Sequence, residues 1–347
     1  MKSKKIRVGL IGAGRAGMIH GVNFAGSVPG AILTAVADPS DEALQHARNE
    51  LGDVELFSDY ELLLQDGAVD AVVVVTPTNL HADVVTKAAA AGKHILCEKP
   101  MAMTVQECSR MISVCEEAGV KLQIGFMRRF DRGFRYAWEQ VAAGAIGDVV
   151  LVKSLTRGPS KPQPWMLDIH KSNGPLAEVS SHDIDTLRWF AGSDICEVYA
   201  IAGNYRCDFA VKDYPDFYDN VLVTTRFANR KQGLIEGSVY VKYGYDARAE
   251  ILGTEGVLFV GGLGADRVQV VSHRHGSMTP VVESWRTLFL EAYLKEDISF
   301  VECICNDTAP EVTGLDGLQA VQVVNAGNQS IREGRPVTIS QDSEISE

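Results

Sequence analysis

Three short stretches of this chain hold residue types that do chemistry. The first is Glu98-Lys99-Pro100, which follows directly on the apolar, strand-like run His94–Cys97. A lysine at that point lies at the carboxyl end of a strand, where open parallel sheets take their ligands, and Pro100 fixes the chain direction and permits a cis bond. The second is Glu178-Val179-Ser180-Ser181-His182-Asp183-Ile184-Asp185. Read as one helix, positions 178, 182 and 185 fall at i, i+4 and i+7 and share a face. A carboxylate one turn before a histidine orients the imidazole and raises its basicity. A carboxylate one turn after it can accept hydrogen bonds from substrate hydroxyls. With an unperturbed pKa near ~6.5, His182 suits general base work. Taken singly, each stretch has a plainer reading, a surface lysine and a solvated charged helix face.

The third stretch is Gly12-Ala13-Gly14-Arg15-Ala16-Gly17, placed immediately after the β-prone residues Ile6, Val8, Leu10 and Ile11. This is a G-x-G-x-x-G turn between a strand and a helical pattern. Gly12 permits the tight turn, Gly14 lets the backbone approach a pyrophosphate, and Gly17 lets the helix pack closely on the strand. The helix N-terminus then offers N–H groups to the phosphates. A second strand, Ala31 to Ala37, ends at Asp38, about 20 residues past the turn, where a carboxylate meets the ribose hydroxyls and repels a 2′-phosphate. NAD is therefore expected over NADP, with Arg15 the residue to suspect if NADP is used.

The elements that must position these groups follow from pattern and length. At 347 residues the chain exceeds a comfortable single core, and two domains are expected, 1–126 and 127–347. Up to Phe126 strands and helices alternate as in a parallel sheet: helices at Asp41–Leu51, Ala82–Ala91 and Thr104–Ala118, and strands at Val69–Val75, His94–Cys97 and Lys121–Phe126. Beyond it come a helix at Arg132–Ala143, a strand at Asp148–Thr156, a proline-rich loop and a helix at Glu178–Phe190. Strand-like segments then follow one another from Val198 to Val271, which indicates an antiparallel sheet. Helices at Ser284–Cys305 and Leu315–Arg332 and a strand at Pro336–Ile339 close the chain.

Composition sets outer limits. Hydrophobic residues make up 46% and charged residues 22%, ordinary for a globular protein. The net charge of −12 argues against polyanionic partners, so neither nucleic acid nor an anionic membrane is expected. No run of 18 apolar residues occurs, and no signal-type apolar region precedes the first strand. Seven scattered cysteines show neither zinc spacing nor a disulfide framework, which points to reduced thiols and a cytoplasmic location. His273-Arg274-His275 reads as surface, and no metal is expected. Trp165 and His170 stand in the proline-rich loop, fit either to cap a site or to pack the loop.

Taken together, the glycine turn, Thr76-Pro77-Thr78-Asn79-Leu80-His81, Gly92-Lys93-His94-Ile95-Leu96-Cys97-Glu98-Lys99-Pro100 and His182-x-x-Asp185 resemble the glucose–fructose oxidoreductase / inositol dehydrogenase (Gfo/Idh/MocA) family. Gly125-Phe126-Met127-Arg128-Arg129-Phe130-Asp131, and Lys242-Tyr243-Gly244-Tyr245-Asp246 leading to Glu250-Ile251-Leu252-Gly253, resemble its inositol 2-dehydrogenase branch. The resemblance implies an α/β N-terminal Rossmann domain plus an α+β C-terminal domain with an open, mainly antiparallel sheet that mediates homodimers or homotetramers. It implies oxidation of a secondary hydroxyl of myo- or scyllo-inositol or a related cyclic sugar, by hydride transfer to NAD. A glycoside-oxidising enzyme that recycles tightly bound NAD, and a non-catalytic NAD-bound regulator, are the other readings.

By the same resemblance Lys99 and His182 are catalytic, and Glu178 stands where the family's catalytic aspartate stands. Cofactor contacts fall on Gly12, Gly14, Arg15, Ala16, Gly17, Asp38, Thr76, Pro77, Asn79, His81, Glu98 and Lys99. Substrate contacts fall on Lys99, Met127, Arg128, His182, Asp185 and Tyr243. Thr156, Arg157 and Gly158 replace the histidine and asparagine that some inositol dehydrogenases carry there.

Overall fold

The computed structural model describes residues 5–65, 68–264, 270–274 and 276–340. The chain opens with β1 (Ile6–Ile11) and α1 (Gly17–Val22), which runs on as a π-helical turn over Asn23–Ser27. Then come β2 (Ala31–Ala37), α2 (Asp41–Leu51), β3 (Glu55–Phe57), α3 (Tyr60–Gln65), β4 (Ala71–Val74), α4 (Thr78–Ala90), β5 (His94–Glu98), α5 (Val105–Glu117) and β6 (Leu122–Gly125). These strands form one sheet in the order β3-β2-β1-β4-β5-β6, parallel throughout. That is the dinucleotide-binding order, and it reverses between β1 and β4, where such sheets open a ligand crevice. Val72, Val73 and Val74 are wholly buried, as a central strand covered on both faces requires. The local signals act as expected. Thr104 caps α5 and exchanges hydrogen bonds with Glu107 in a capping box.

After a 3-10 turn at Met127–Phe130 the chain continues with α6 (Arg132–Ala142), β7 (Val149–Gly158), α7 (Pro164–Leu167), α8 (Ile169–Ser172), α9 (Gly174–Glu178) and α10 (Ser181–Ala191). Next are β8 (Ile195–Gly203), β9 (Asn220–Phe227), β10 (Gln232–Val239), β11 (Asp246–Gly253), β12 (Val257–Val260), β13 (Val270–Ser272) and β14 (Gly276–Met278). Then α11 (Trp285–Leu288), α12 (Leu290–Cys305), α13 (Gly314–Glu333) and β15 (Val337–Thr338) end the chain. The second sheet has the order β12-β11-β7-β10-β9-β8-β15 and is antiparallel except where β7 pairs with β10. Period-2 burial sorts its faces: in β9 Val221, Val223, Thr225 and Phe227 point inward while Leu222, Thr224 and Arg226 are exposed. Part of the strand expected at Val268–Val271, and His275, lie outside the described residues.

Two compact units result, but not with the expected boundary at residue 126. The first is Met1–Phe130 with Leu290–Val321, and the second is Asp131–Phe289 with Gln322–Glu347. The reason is burial. Phe300, Val301 and Cys303 of α12 sit in one core with Val8, Leu10, Phe24, Val36 and Leu96, so a helix late in the sequence completes the first unit. Each large apolar side chain so covered contributes roughly 1.5–3 kcal/mol. The proline-rich loop also differs from expectation, holding three short helices: α7 opens on Pro164, α8 is capped by the Asp168 side chain, and α9 follows the left-handed Asn173.

Candidate active site

In the first unit the glycine turn leaves β1 at the point where the strand order reverses. Gly12 has φ +99°, and a Cβ there would lie 2.6 Å from the carbonyl oxygen of Val75 at the end of β4. A Cβ on Gly17 would lie 1.9 Å from the carbonyl oxygen of Gly12, so both positions are closed to any side chain. Gly14 is exposed, with nothing within 4 Å of where its Cβ would be. Arg15 is also exposed, and Ala16 half-buried. Asp38 reaches back to this turn: its carboxylate accepts hydrogen bonds from Ala13 N–H at 2.8 Å and Ser40 N–H at 2.9 Å. The turn and the carboxylate, distant in sequence, are thus one rigid piece.

Two neighbouring strand ends complete this edge. Thr76 and Pro77 follow β4; Asn79 is exposed in the first turn of α4. The Thr76 hydroxyl is buried without a hydrogen-bond partner. An open cradle at Gly14, a carboxylate at Asp38 and an orphaned hydroxyl at Thr76 fit a dinucleotide. His81, expected at the cofactor, is 1% exposed, and its ring nitrogens contact the carbonyls of Pro100 and Thr76, each at 2.8 Å. Burial pulls its pKa down against those carbonyls. Its place is therefore to tie the turn after β4 to the turn after β5. Lys99 begins that second turn, and Lys99–Pro100 is cis. Met127 and Arg128 are each 1% exposed.

The second unit carries the histidine segment, and here the single-helix expectation fails. α9 ends at Glu178, the N–H groups of Val179 and Ser180 both return to the carbonyl of Pro175, and α10 starts at Ser181. Glu178 therefore does not share a helical face with His182 and Asp185. The cause is tertiary. The corner at Ser180 is pressed on β10, where a Cβ on Gly237 would meet the Ser180 hydroxyl at 2.1 Å. His182 and Asp185 remain one turn apart on α10, at 6% and 1% exposure. Asp183 between them turns to the sheet, accepting hydrogen bonds from Ser154 at 2.6 Å and Thr156 at 2.7 Å. The hydroxyls of Ser180 and Ser181, beside His182, are buried without partners. Tyr243 is 39% exposed; its hydroxyl accepts from Arg157 at 3.2 Å and donates to Asp246 at 3.0 Å, while Glu236 grips Arg157 at 2.6 and 2.7 Å.

Sequence reasoning missed a buried polar group in the first unit. His20 of α1 is fully buried, with Nδ1 2.6 Å from Asp297 of α12 and Nε2 3.2 Å from Glu98 at the end of β5. Asn23 donates to the other Asp297 oxygen at 2.8 Å. Burial alone would lower the histidine's pKa, but the charge and hydrogen bond of Asp297, then those of Glu98, raise it well above its usual value. His20, Glu98 and Glu296 also offer ligand-type atoms within 4.8 Å of one another. Both ring nitrogens already face carboxylates, so the ring serves hydrogen bonding. No local pattern marks a pair separated by 277 residues.

Fold and glycine turn together define a dinucleotide-binding protein built on a Rossmann domain. The family model described as "Oxidoreductase family, NAD-binding Rossmann fold" matches residues 6–126, and "Oxidoreductase family, C-terminal alpha/beta domain" matches residues 138–339. The chain belongs to the Gfo/Idh/MocA oxidoreductase family, and its cofactor is NAD. It is 36% identical to the scyllo-inositol 2-dehydrogenase (NAD(+)) of Bacillus subtilis over 96% of each chain. It is 32% identical to a myo-inositol 2-dehydrogenase of Thermotoga maritima, over 97% of this chain and 99% of that one. Among solved structures, the scyllo-inositol dehydrogenase of Lactobacillus casei with bound NAD(H) and scyllo-inositol superposes with a TM-score of 0.88 at 29% identity, covering 97% and 99% of the two chains. No described helix is long and apolar enough to cross a membrane.

Proposed function

We propose that this protein oxidises a secondary hydroxyl of myo- or scyllo-inositol, or of a closely related cyclic polyol, to the ketone. The observation that carries the reading is the likeness to inositol 2-dehydrogenases along both units rather than along the Rossmann domain alone. NAD supplies the hydride acceptor when bound. Gly12, Gly14 and Gly17 shape its cradle with Arg15 and Ala16 beside them, Asp38 takes the ribose hydroxyls, and Thr76, Pro77 and Asn79 line the crevice. Glu98, expected at the cofactor, instead has its carboxylate buried on His20 and the Lys99 N–H.

The chain's own residues then handle the proton. His182 is the general base for the substrate hydroxyl. Lys99 donates a hydrogen bond to the same oxygen and favours its developing negative charge. Glu178 stabilises the imidazolium by its charge. Asp185, Met127, Arg128 and Tyr243 position the polyol.

The partner class is a small polyol and a second copy of this chain, as a homodimer or homotetramer. Ile201 and Leu222, paired on adjacent strands, are 58% and 45% exposed, and Phe259 is 74% exposed, which supports association through the second sheet. The net charge of −12 and the seven free cysteines support a cytoplasmic protein that binds neither nucleic acid nor membrane.

A panel of inositols, pyranoses and glycosides, read as NADH absorbance, tests the activity. Turnover of an inositol is expected, and no turnover of any polyol with either cofactor would overturn it. Sedimentation analysis tests the assembly, and a monomer at micromolar concentration would remove that part.

A further inference from the structure

We infer that His20, held by Asp297, is a positioning residue for the proposed hydride transfer, acting through Glu98 on Lys99. The inference rests on the assignment of Lys99 above. Glu98 is the last residue of β5, and its carboxylate is used on both oxygens: Oε1 meets His20 Nε2 at 3.2 Å, and Oε2 accepts the backbone N–H of Lys99 at 3.0 Å. The hydrogen bond that sets the direction of the chain entering Lys99 is therefore made by a side chain which His20 orients.

The imidazole has little freedom to turn. Asp297 takes Nδ1 at 2.6 Å, Asn23 holds the second Asp297 oxygen, and Tyr293 packs against the ring edge to face, with centroids 5.3 Å apart and planes at 89°. Glu98 is confined from the opposite side as well. It pairs with Gly125 of β6, and a Cβ on Gly125 would lie 3.0 Å from the Glu98 carboxyl carbon and 3.1 Å from Oε2. The absent side chain at position 125 gives the carboxylate its seat.

Such an arrangement exceeds what holding α12 in place requires. A salt bridge between His20 and Asp297 would fasten the helix by itself. The third member, Glu98, is a buried carboxylate at 5% exposure, costly unless satisfied, and it stands at the end of β5 rather than on either helix. What Glu98 does contact is the first atom of the Lys99 residue. A misplacement of about 1 Å at a reacting group costs on the order of 100-fold in rate, so a group that fixes this backbone matters for kcat.

The test is a double-mutant cycle on the full-length enzyme with NAD and myo- or scyllo-inositol. His20→Phe keeps a ring but removes both hydrogen bonds. It is expected to lower kcat about 10–100-fold. KM for the polyol and the Kd of NADH, from fluorescence titration, should stay within about 3-fold, because a positioning defect at Lys99 leaves the cofactor cradle intact. His20→Gln, which can still donate to Glu98, should recover part of the rate. In a Lys99→Met background, His20→Phe should lower kcat no further, since both act through one group. If His20→Phe does not fold, Asp297→Asn, which keeps the volume, is read by the same criteria. A kcat within about 3-fold of wild type in the folded variant overturns the inference, as does an equal loss with and without Lys99. If Lys99→Met alone leaves kcat unchanged, the assignment of Lys99 falls first and this inference with it.

Discussion

The paired substitutions Gly14→Ala and Gly17→Ala separate the two jobs of the glycine turn. A Cβ on Gly17 would lie 1.9 Å from the Gly12 carbonyl oxygen, about 1.5 Å short of the 3.4 Å at which ordinary contact begins. The neighbour is backbone, so the strain is relieved only by moving α1 away from β1. Overpacking of this kind costs about 1–3 kcal/mol or more. At roughly 2–4 °C per kcal/mol for a unit of this size, Tm should fall by about 2–12 °C. Gly14 has nothing within 4 Å of its Cβ position and is exposed, so Gly14→Ala should hold Tm within about 1 °C of wild type. That open space is where the backbone meets a pyrophosphate. The added methyl should therefore raise the Kd for NADH at least about 10-fold, near 1.4 kcal/mol. Differential scanning fluorimetry and NADH fluorescence titration read the two effects separately. Wild-type NADH affinity in Gly14→Ala, or an equal drop in Tm for both variants, would refute the reasoning.

Three further outcomes are expected. Asp38→Ala removes the carboxylate that accepts from Ala13, and the kcat/KM preference for NAD over NADP should shrink about 10-fold or more; an unchanged ratio would mean that another group sets it. Glu178→Gln should lower kcat at least about 10-fold while Tm stays unchanged, and a normal rate would strike Glu178 from the catalytic group. His20 has a pKa raised above the unfolded value of about 6.5, because Asp297 and Glu98 outweigh burial. Its contribution to stability is complete below about pH 6.5 and is lost as the pH climbs through the raised folded value. The gap in Tm between wild type and His20→Phe should therefore narrow from pH 6 to pH 9, and a constant gap would contradict the charged pair.

Much of this protein was legible from residues close together in the chain. The β-prone run before Gly12, the cap at Thr104 and the valines of β4 each act within a few residues, so their type and spacing sufficed to place five of the six strands of the parallel sheet; the three-residue edge strand β3 was not expected. Asp38 could be assigned to the glycine turn because the distance between them follows from one β-α-β unit. What depends on contacts between remote segments was hidden. The helix expected through Glu178 breaks at Val179 and Ser180 because β10 passes that corner, and helical periodicity carries no information about a neighbouring strand. The second sheet admits one parallel pair, β7 with β10, since pairing partners are chosen by packing and not by strand propensity. His20, Asp297 and Glu98 come together only when α12 buries Phe300 and Val301 on the first sheet. Burial then converts three ordinary polar residues into one constrained group, because a charge removed from water must find its partner wherever in the sequence that partner lies.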